Sequence, residues 1–398
     1  MGKLKDSLKY ITAGDIGHCF LFAFILPFAL IAKIFIRKFW LVCEDRNEAR
    51  DNGYHFFRWV RANRPKQKIA YAINKKSPDY QKVKGLGKVI SYGTLSHWFW
   101  YIVADKNISS QKGGKPNAAV CYVLEVSLGL RKNNRVFLQH GVTKDKADWL
   151  FYDATKMRIF VTSALPEQEY IEQEFGYPKG NVQLLGFSRF DALNLDDRDE
   201  KVILAMPTWR NWLGRASSEN RDLDFTTTEY FKKWNEFITS KKLVEILEKY
   251  DTKLIFYPHR NMQQFINHFV SNSDRIIIAD WKKYDIQSVL KQASLMITDY
   301  SSVFFDFAYM RKPVLFYQFD EQEFRQKQYS QGYFDYKDNP LGKWTDDKDT
   351  LFSLLEESLK NKNPLIDKEI TAQFFPYIDT KNSERIFNAI KELERKKK

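Results

Sequence analysis

Leu295-Met-Ile-Thr-Asp-Tyr-Ser-Ser302 runs directly into Val303-Phe-Phe-Asp-Phe-Ala-Tyr-Met-Arg311. This pattern predicts a buried strand that ends in two hydroxyls and is followed at once by the first turn of a helix. The free backbone N–H groups and the positive dipole end of such a helix bind phosphate. A buried strand that leads into a helix in this way is typical of an α/β protein with a parallel sheet.

Three other segments also place polar groups directly after apolar strands. They are Gln139-His140-Gly141, Pro207-Thr208-Trp209-Arg210 and Tyr257-Pro258-His259-Arg260. In open parallel sheets, ligands bind beyond the carboxyl ends of the strands. Four strand ends that carry His, Arg and Ser therefore predict an enzyme that handles phosphate at this edge of its sheets.

The composition limits the classes of partner. The chain has 398 residues, 44% of them hydrophobic, which is enough for two domain cores. Lys and Arg number 63 against 50 acidic residues, for a formal charge of +13. This predicts an anionic partner: nucleic acid, an anionic membrane or a phosphorylated substrate. No recognised nucleic-acid-binding module is visible, so we expect no nucleic-acid partner.

The cysteines indicate the redox compartment. Cys19, Cys43 and Cys121 are odd in number, far apart and without a CxxC pair. This pattern argues against a disulfide framework and against a zinc site, and it favours a reducing cytoplasm.

An uncharged apolar run extends from Cys19 to Ala32. As a helix it would span about 21 Å, short of the roughly 30 Å hydrocarbon core, and Pro27 would kink it. Basic residues flank it on both sides. We therefore predict that residues 1–38 are a membrane-associating helical segment, peripheral and monotopic on the cytoplasmic face of the cell membrane. A buried first helix and a true span or re-entrant hairpin are the alternatives.

After this segment, strands alternate with helices, which predicts an α/β protein with two Rossmann-type domains. The polar run Asn194–Glu200 predicts the linker, so the domains are 39–194 and 195–375, followed by a basic helix at 376–398. The polar segment Arg210–Glu229 is predicted to be a mobile lid. Two predicted helices are Phe237–Tyr250 and Met262–Val270. The predicted strands are Phe39–Val42, Lys68–Asn74, Lys88–Tyr92, Tyr101–Asp105, Arg135–Gln139, Arg158–Ser163, Val182–Leu185, Val202–Met206, Lys253–Tyr257, Arg275–Ala279, Leu295–Thr298 and Pro313–Tyr317.

His140 stands at a strand tip before Gly141 and is a candidate general base, because an imidazole with a pKa near neutrality can abstract a hydroxyl proton. A histidine that caps the next turn is the alternative. Downstream, Lys144 and Lys146 are candidates to bind an anionic acceptor. The alternative is that they lie on a solvated face. Near the amino end, Glu44 is a candidate acceptor contact or brace for its own loop.

Arg210 offers a fork of donors suited to phosphate oxygens, with an interdomain salt bridge as the alternative. His259 is a candidate to neutralise charge on a leaving diphosphate, or is structural. Ser301 and Ser302 are expected at the start of the helix, as phosphate ligands, as its cap, or as both.

Three further side chains complete the candidates. Asp306 lies one turn into the helix and can accept from a ribose hydroxyl, and Asp299 can do the same or orient His259. Each carboxylate has a structural alternative. Asn52 is a candidate acceptor contact, or a capping residue.

Several motifs are absent from the sequence. There is no GxxxxGK[ST] and no GxGxxG, so a P-loop NTPase and a standard dinucleotide binder are excluded. Neither HExxH nor a cluster of His, Cys and Asp argues for a metal bound by the protein, and we expect no cofactor held by a protein motif. A divalent cation held by a donor diphosphate remains open.

Five motifs resemble those of the CDP-glycerol glycerophosphotransferase family, which builds wall teichoic acids and related capsular polymers. They occur in the family's order over roughly residues 40–320. They are Arg50-Asp-Asn-Gly-Tyr-His-Phe-Phe57, His140-Gly141 with Lys144, Pro207-Thr-Trp-Arg210, Pro258-His259, and Thr298-Asp-Tyr-Ser-Ser302 with Asp306.

The resemblance implies a GT-B-like fold, with two Rossmann-type domains facing a cleft: 39–194 on the acceptor side and 195–375 on the CDP-donor side. A polyol phosphate, most simply glycerol phosphate, would pass from a CDP-polyol to an undecaprenyl-diphosphate-linked saccharide or a growing polymer, with release of CMP. By this resemblance, His140 would be the base, and His259, Arg210, Ser301 and Ser302 would clamp the diphosphate. Asp306 or Asp299 would hold the cytidine or its ribose. Together with the candidates taken from the residues themselves, the predicted site has three parts. The catalytic residues would be His140 and His259, the donor contacts Thr208, Arg210, Arg260, Asp299, Ser301, Ser302 and Asp306, and the acceptor contacts Glu44, Asn52, Gly141, Lys144 and Lys146.

One departure concerns Val142-Thr143, where the family more often has Thr-Pro or a similar pair before the lysine. This difference leaves the acceptor preference open. A GT-B glycosyltransferase that uses a nucleotide-sugar in cell-surface polysaccharide synthesis is the alternative function, and only the product linkage separates the two. The sequence leaves open glycerol versus ribitol, and primase versus polymerase.

Overall fold

The structure is a computed structural model that describes residues 12–111, 114–129, 135–193, 197–214 and 224–395. The chain forms two compact units. Unit 1 lies within Met1–Val142, Asp148–Ala192 and Pro376–Lys398, and unit 2 lies within Thr143–Ala147 and Leu193–Phe375. The carboxyl-terminal helix therefore belongs to unit 1, and a short segment just after His140 belongs to unit 2.

The core of unit 1 is a parallel sheet in the order β3-β2-β1-β4-β5-β6-β7. Its strands are short and mostly buried, as expected for a parallel sheet covered on both faces. The strands are β1 Trp40–Val42, β2 Ile69–Ile73, β3 Lys88–Ser91, β4 Lys106–Ser109, β5 Arg135–Phe137, β6 Ile159–Thr162 and β7 Val182–Leu184.

The helices of unit 1 connect these strands and cover the sheet. The α-helices are α1 Ala13–Phe35, α2 Asn52–Asn63, α3 Tyr80–Lys84, α4 Leu95–Val103, α5 Ala118–Tyr122, α6 Tyr152–Thr155 and α7 Leu165–Glu174. A π-helix, Val123–Ser127, continues α5, and 3₁₀ turns cover Asp148–Leu150 and Ser188–Ala192.

Unit 2 is a second parallel sheet, in the order β10-β9-β8-β11-β12-β13. Numbered within the unit this order is 3-2-1-4-5-6, the order of a Rossmann fold. The strands are β8 Asp199–Met206, β9 Lys253–Phe256, β10 Ile276–Ile278, β11 Ala293–Thr298, β12 Val314–Tyr317 and β13 Gly342–Thr345.

The first long helix of unit 2 buries one apolar stripe against the sheet. In α8, Glu229–Ile238, the Thr228 side chain caps the first turn, and Tyr230, Trp234 and Phe237 are buried at helical spacing. The others are α9 Lys241–Lys249, α10 Ile286–Gln292, α11 Phe304–Tyr309, α12 Glu321–Lys327, α13 Lys348–Lys360 and α14 Lys368–Phe374, with 3₁₀ helices at Phe225–Thr227 and Arg260–His268. Helix α15, Asn382–Arg395, follows in unit 1.

One predicted strand is wrong. Tyr101–Asp105 was expected to be extended, but residues up to Val103 belong to α4 and the strand follows at Lys106–Ser109. Thr94 caps α4 by accepting from the His97 N–H, which starts a helix in an aromatic run whose composition favours a strand. Packing of this run against the sheet therefore overrides its local preference.

Two predicted helices differ in form. The run Phe237–Tyr250 is divided between α8 and α9, because Ser240 between them has an extended backbone (φ −67°, ψ 129°) and begins a new helix. The run Met262–Val270 forms the 3₁₀ helix Arg260–His268 instead of an α-helix. Much of the predicted lid, residues 215–223, lies outside the described residues.

Each sheet has a switch point, where strands with opposite crossover directions are neighbours: β1 beside β4 in unit 1, and β8 beside β11 in unit 2. Ligands of open α/β sheets bind outside the carboxyl ends of the strands at such points. The segments that follow β1, β5, β8 and β11 carry most of the predicted site residues.

Candidate functional site

His140 is presented at the carboxyl edge of the unit 1 sheet by an unusual backbone. Gln139 has a φ of +61°, the left-handed region that non-glycine residues rarely adopt. Its side chain is held by the Glu167 carboxylate and the Val161 carbonyl, each at 2.8 Å. Such strain concentrates at functional sites, and here it leaves the next side chain, His140, two-thirds exposed at 66%.

The His140 imidazole is paired with a buried carboxylate. Its Nδ1 lies 2.6 Å from Asp51 Oδ2, and the Arg189 guanidinium lies 3.0 Å from Asp51 Oδ1. The same Arg189 group donates to the His140 carbonyl at 2.9 Å. Asp51 is therefore held from two sides, and its bond to Nδ1 fixes the ring orientation of His140.

Charge links these three side chains. The negative charge of Asp51 raises the pKa of His140 above its ordinary value. Burial acts to raise the pKa of Asp51, but the charges of His140 and Arg189 lower it overall. The imidazolium form is therefore stabilised, as in an Asp–His pair that serves a general base.

Two predicted acceptor contacts hold this arrangement together. The Glu44 carboxyl accepts from the backbone N–H groups of Arg50, Asp51 and Tyr54, and burial raises its pKa to about 8. A Cβ on Gly53 would lie 2.8 Å from Glu44 Cγ, so the turn needs a glycine there.

Asn52 ties the same turn to the strand tip. Its amide donates to the Gln139 carbonyl at 2.7 Å, and its oxygen accepts from the Arg189 N–H at 3.0 Å. Glu44 and Asn52 thus have the contacts of bracing residues, and their roles as acceptor ligands stay predictions.

In unit 2, Asp299 joins the two loops at the switch point. Its Oδ1 accepts from the backbone N–H groups of Thr208 and Tyr300, each at 2.7 Å. The Thr298 hydroxyl donates to the Met206 carbonyl at 2.7 Å just below. These bonds fix the ends of β8 and β11 against each other.

Arg210 is buried instead of facing solvent. Its Nε and Nη2 donate to Asp320 at 2.8 and 3.0 Å, its Nη2 lies 2.8 Å from Asp299 Oδ2, and its Nη1 donates to the Thr208 carbonyl. Burial acts to lower the pKa of Arg210, but the two carboxylates raise it overall. The guanidinium therefore has the contacts of a scaffold group, and its role as a donor ligand stays a prediction.

Polar groups next to this scaffold are the better placed candidates for a phosphate. The Ser301 hydroxyl accepts from the Val303 N–H at 3.4 Å, and Ser302 is half-buried beside it, before α11 begins. The Thr208 hydroxyl is buried and has no hydrogen-bond partner among the described residues. Asp306 is also buried, on the first turn of α11.

His259 follows β9 and lies against the same loops. Its Nδ1 accepts from the Asn261 N–H at 3.2 Å, so its ring proton is assigned to Nε2, which can donate to an anion. The ring stacks on Trp209, with centroids 6.1 Å apart. The exposed Arg260 guanidinium lies over the Trp281 ring at 4.8 Å.

The segment after Gly141 is firmly held. Lys144 is buried and pairs with Asp145, which also accepts from Arg325 at 2.6 Å. A Cβ on Gly332 would lie 2.1 Å from the Lys144 carbonyl, so the backbones of these two segments lie in direct contact. Burial lowers the pKa of Lys144. Lys146 is exposed, and Gly141 is half-buried.

The structure groups the predicted residues into two sets, one in each unit, and adds residues that the sequence reasoning missed. Asp51 belongs to the Arg50–Phe57 motif and directly precedes α2, and an aspartate in that position is a recognisable N-cap signal. Arg189 and Asp320 follow short strands without any pattern that marks them. No group of three or more His, Cys, Asp and Glu that could hold a metal ion occurs within the described ranges.

Known proteins resemble this chain. A model of the CDP-Glycerol:Poly(glycerophosphate) glycerophosphotransferase family matches residues 34–392. The minor teichoic acid biosynthesis protein GgaB of Bacillus subtilis (strain 168) is 32% identical over 384 residues, covering 92% of this chain and 41% of that protein. The chain thus spans about two fifths of GgaB.

Two further likenesses are weaker. The teichoic acid poly(ribitol-phosphate) polymerase of Bacillus spizizenii (strain ATCC 23059 / NRRL B-14472 / W23) is 26% identical over 195 residues, covering 48% of this chain and 28% of that protein. The solved structure of the wall teichoic acid polymerase TagF has a TM-score of 0.64 at 16% identity, covering 90% of each chain. This likeness confirms the predicted fold class of two GT-B-like α/β domains.

We predict that the Asp51–His140 pair sets the acid limb of the pH–rate profile. Asp51 raises the pKa of His140, so activity that needs neutral imidazole is lost as pH falls through a value above the ordinary 6.5. Asp51→Asn removes the negative charge, so we expect the acid limb to move to lower pH. We also expect the maximal rate to fall by about 10²–10⁴-fold, because the base is no longer oriented. The exposed Asp153→Asn is the control. An acid limb that does not move in Asp51→Asn would separate Asp51 from the base.

We predict that Arg210→Met destabilises unit 2 by about 3–5 kcal/mol, because it leaves two buried carboxylates without their cation. Denaturant unfolding measures this loss. The matched control Lys249→Met removes the cation of an exposed ion pair with Glu356 and is expected to have little effect. Unchanged unfolding together with weaker donor binding would instead make Arg210 a ligand contact.

Proposed function

Because this chain belongs to the CDP-glycerol:poly(glycerophosphate) glycerophosphotransferase family, we propose that it transfers a polyol phosphate, most simply glycerol phosphate, from a CDP-polyol. The acceptor is a hydroxyl of a membrane lipid-linked saccharide or of a growing teichoic acid or capsule polymer. The observation that carries this proposal is the exposed His140 imidazole, fixed through Nδ1 on buried Asp51.

In the proposed reaction, the acceptor oxygen forms a bond to the phosphorus that carries the polyol. The bond from that phosphorus to the bridging oxygen breaks, and CMP leaves with that oxygen. The acceptor proton passes to His140 Nε2, since Nδ1 is occupied by Asp51. The resulting imidazolium is stabilised by the Asp51 charge, which is the arrangement that makes a histidine an effective base.

We propose that the donor diphosphate is bound by groups near the ends of β8, β9 and β11. The Ser301 and Ser302 hydroxyls, the Thr208 hydroxyl and the His259 Nε2–H group supply neutral donors, and the Arg260 guanidinium supplies a cationic one. Preorganised donors of this kind stabilise charge that develops on a leaving group. Any divalent cation would then be held mainly by the diphosphate.

We also propose that α1 anchors the protein on the cytoplasmic face of the membrane. Among the described residues, α1 is the helix long and apolar enough to cross a bilayer by length and composition. Its outer face exposes a continuous apolar stripe. The stripe consists of Ile16, Phe20, Phe24, Phe28, Leu30, Ile31, Ile34 and Phe35, each at least 52% exposed.

The opposite face of α1 favours a helix that lies in the interface over one that spans. Ile25 and Ala29 pack against Ile102 and Val103 of α4, and Lys33 Nζ donates to the Ile102 carbonyl at 2.9 Å. Because α4 itself packs on the sheet, α1 is held along its length by the folded domain. An apolar outer face on a helix held in this way is typical of an interfacial anchor.

The first test is an assay of the purified protein with CDP-glycerol or CDP-ribitol and a lipid-diphosphate disaccharide, with and without one glycerol phosphate. We expect CMP release and a mass gain of one or more polyol phosphates, and none with His140→Ala. Product length separates primase from polymerase. Release of a nucleoside diphosphate from a nucleotide-sugar, with a glycosidic product, would favour the glycosyltransferase instead.

The membrane proposal has its own test. The double variant Phe24→Glu/Phe28→Glu should bind vesicles of phosphatidylglycerol and phosphatidylcholine more weakly than the wild type. Each substitution removes a large apolar side chain from the lipid and should lower the affinity by roughly tenfold or more. Co-sedimentation measures this, and Leu365→Glu, an exposed leucine in unit 2, is the control. Vesicle binding at the wild-type level would assign membrane contact to another surface.

A further inference from the structure

A cavity of about 160 Å³ lies beneath α1 in unit 1. Leu26 and Leu30 of α1 line one side, Trp98 of α4 lines another, and Cys121 and Leu124 close the third. The lining is mostly apolar. An enclosed apolar cavity of about 150 Å³ accepts a molecule of the size of benzene, so a space of this volume has room for about six hydrocarbon carbons.

The polar groups at the cavity are already paired. The Glu125 carboxylate accepts from the Tyr101 hydroxyl at 2.5 Å and from Lys115 Nζ at 3.3 Å. Lys33, also in the lining, donates to the Ile102 carbonyl. The cavity therefore offers a polar or charged ligand little that is not already engaged, and its chemistry favours a hydrocarbon.

Two features show that the cavity is open to the apolar surface and shaped by the backbone. Leu30 both lines the cavity and is 52% exposed on the α1 stripe, so the mouth lies on that stripe. Opposite α1, the α-helical turns of α5 are followed by the wider turns of the π-helix Val123–Ser127, which carries Leu124 and Glu125. Wide turns of this kind occur often at functional sites.

We propose that this cavity binds the end or a bend of one acyl chain of a phospholipid in the membrane leaflet on which α1 lies. The proposal rests on the membrane placement proposed for α1. A bilayer presents acyl chains at far higher local concentration than it presents any lipid-linked acceptor, so even weak affinity fills the site by mass action. An inserted chain fixes α1 to the bilayer by a contact deeper than its surface stripe.

The test uses the full chain bound to phosphatidylglycerol-containing vesicles that carry a phospholipid with a diazirine in its acyl tail. After irradiation, labelled residues are mapped by mass spectrometry. We expect labels on Cys121 and Leu124 as well as on the stripe residues Phe20 and Phe24. The filling variant Cys121→Phe should lower labelling of Leu124 at least tenfold while labelling of the stripe is unchanged.

Cys19→Phe is the matched control, because it makes the same change at an exposed position of α1 and should leave Leu124 labelling unchanged. Cys121→Met, a smaller filler, gives an intermediate loss if Cys121→Phe folds poorly. Labels confined to the stripe, or Leu124 labelling unchanged in both filling variants, would overturn the proposal.

Preferential labelling of Leu124 by a polyprenyl-phosphate diazirine probe would overturn the phospholipid assignment in favour of the acceptor's isoprenoid chain. An absence of all labels, the stripe included, would remove the membrane placement of α1 and the lipid site with it. CMP release with a water-soluble acceptor analogue is measured in parallel. CMP release in this assay depends on the transferase activity and is independent of the lipid site.

Discussion

The parallel arrangement of both sheets is the constraint on which the candidate site depends. When neighbouring strands run in one direction, all their carboxyl ends meet at one edge, and the loops that follow them are brought together there. In unit 1 this places the loop after β1 beside the tip of β5, and in unit 2 it places the loop after β8 beside that after β11. Residues separated by roughly ninety positions in sequence, such as Thr208 and Asp299, are thereby joined through one hydrogen bond.

Both units use a buried carboxyl group to hold backbone N–H groups at this edge. Glu44 accepts from three of them in unit 1, and Asp299 accepts from two in unit 2. Burying a carboxyl group is costly unless it is hydrogen-bonded, so these bonds offset its desolvation while they fix the loops. His140, which is exposed, and His259, which is half-buried, follow strands whose loops are held in this way, and a reacting group keeps its geometry only when its support is held.

The residues of the motifs have different positions in this arrangement, some buried in the scaffold and some next to it. Arg210 and Asp299 lie in two of the most recognisable motifs, yet they contact each other and Asp320 more than they face solvent. A motif residue can therefore act by positioning its neighbours. Thr208, Ser301 and His259 lie next to this scaffold, and their side chains are the ones proposed to bind the donor.

The sequence by itself determined the α/β class, two domain cores, most strand positions and the strand tips that carry His, Arg and Ser, because these features depend on local periodicity and on residue type. It did not predict β13, and it assigned a strand to Tyr101–Asp105, where helix packing overrides local preference. It also did not reveal that Asp51 pairs with His140 and Arg189, or that Arg210 is buried between Asp299 and Asp320. Only the tertiary structure decided these, because burial and ion pairing depend on which strand ends become neighbours, and no local pattern along the chain records that.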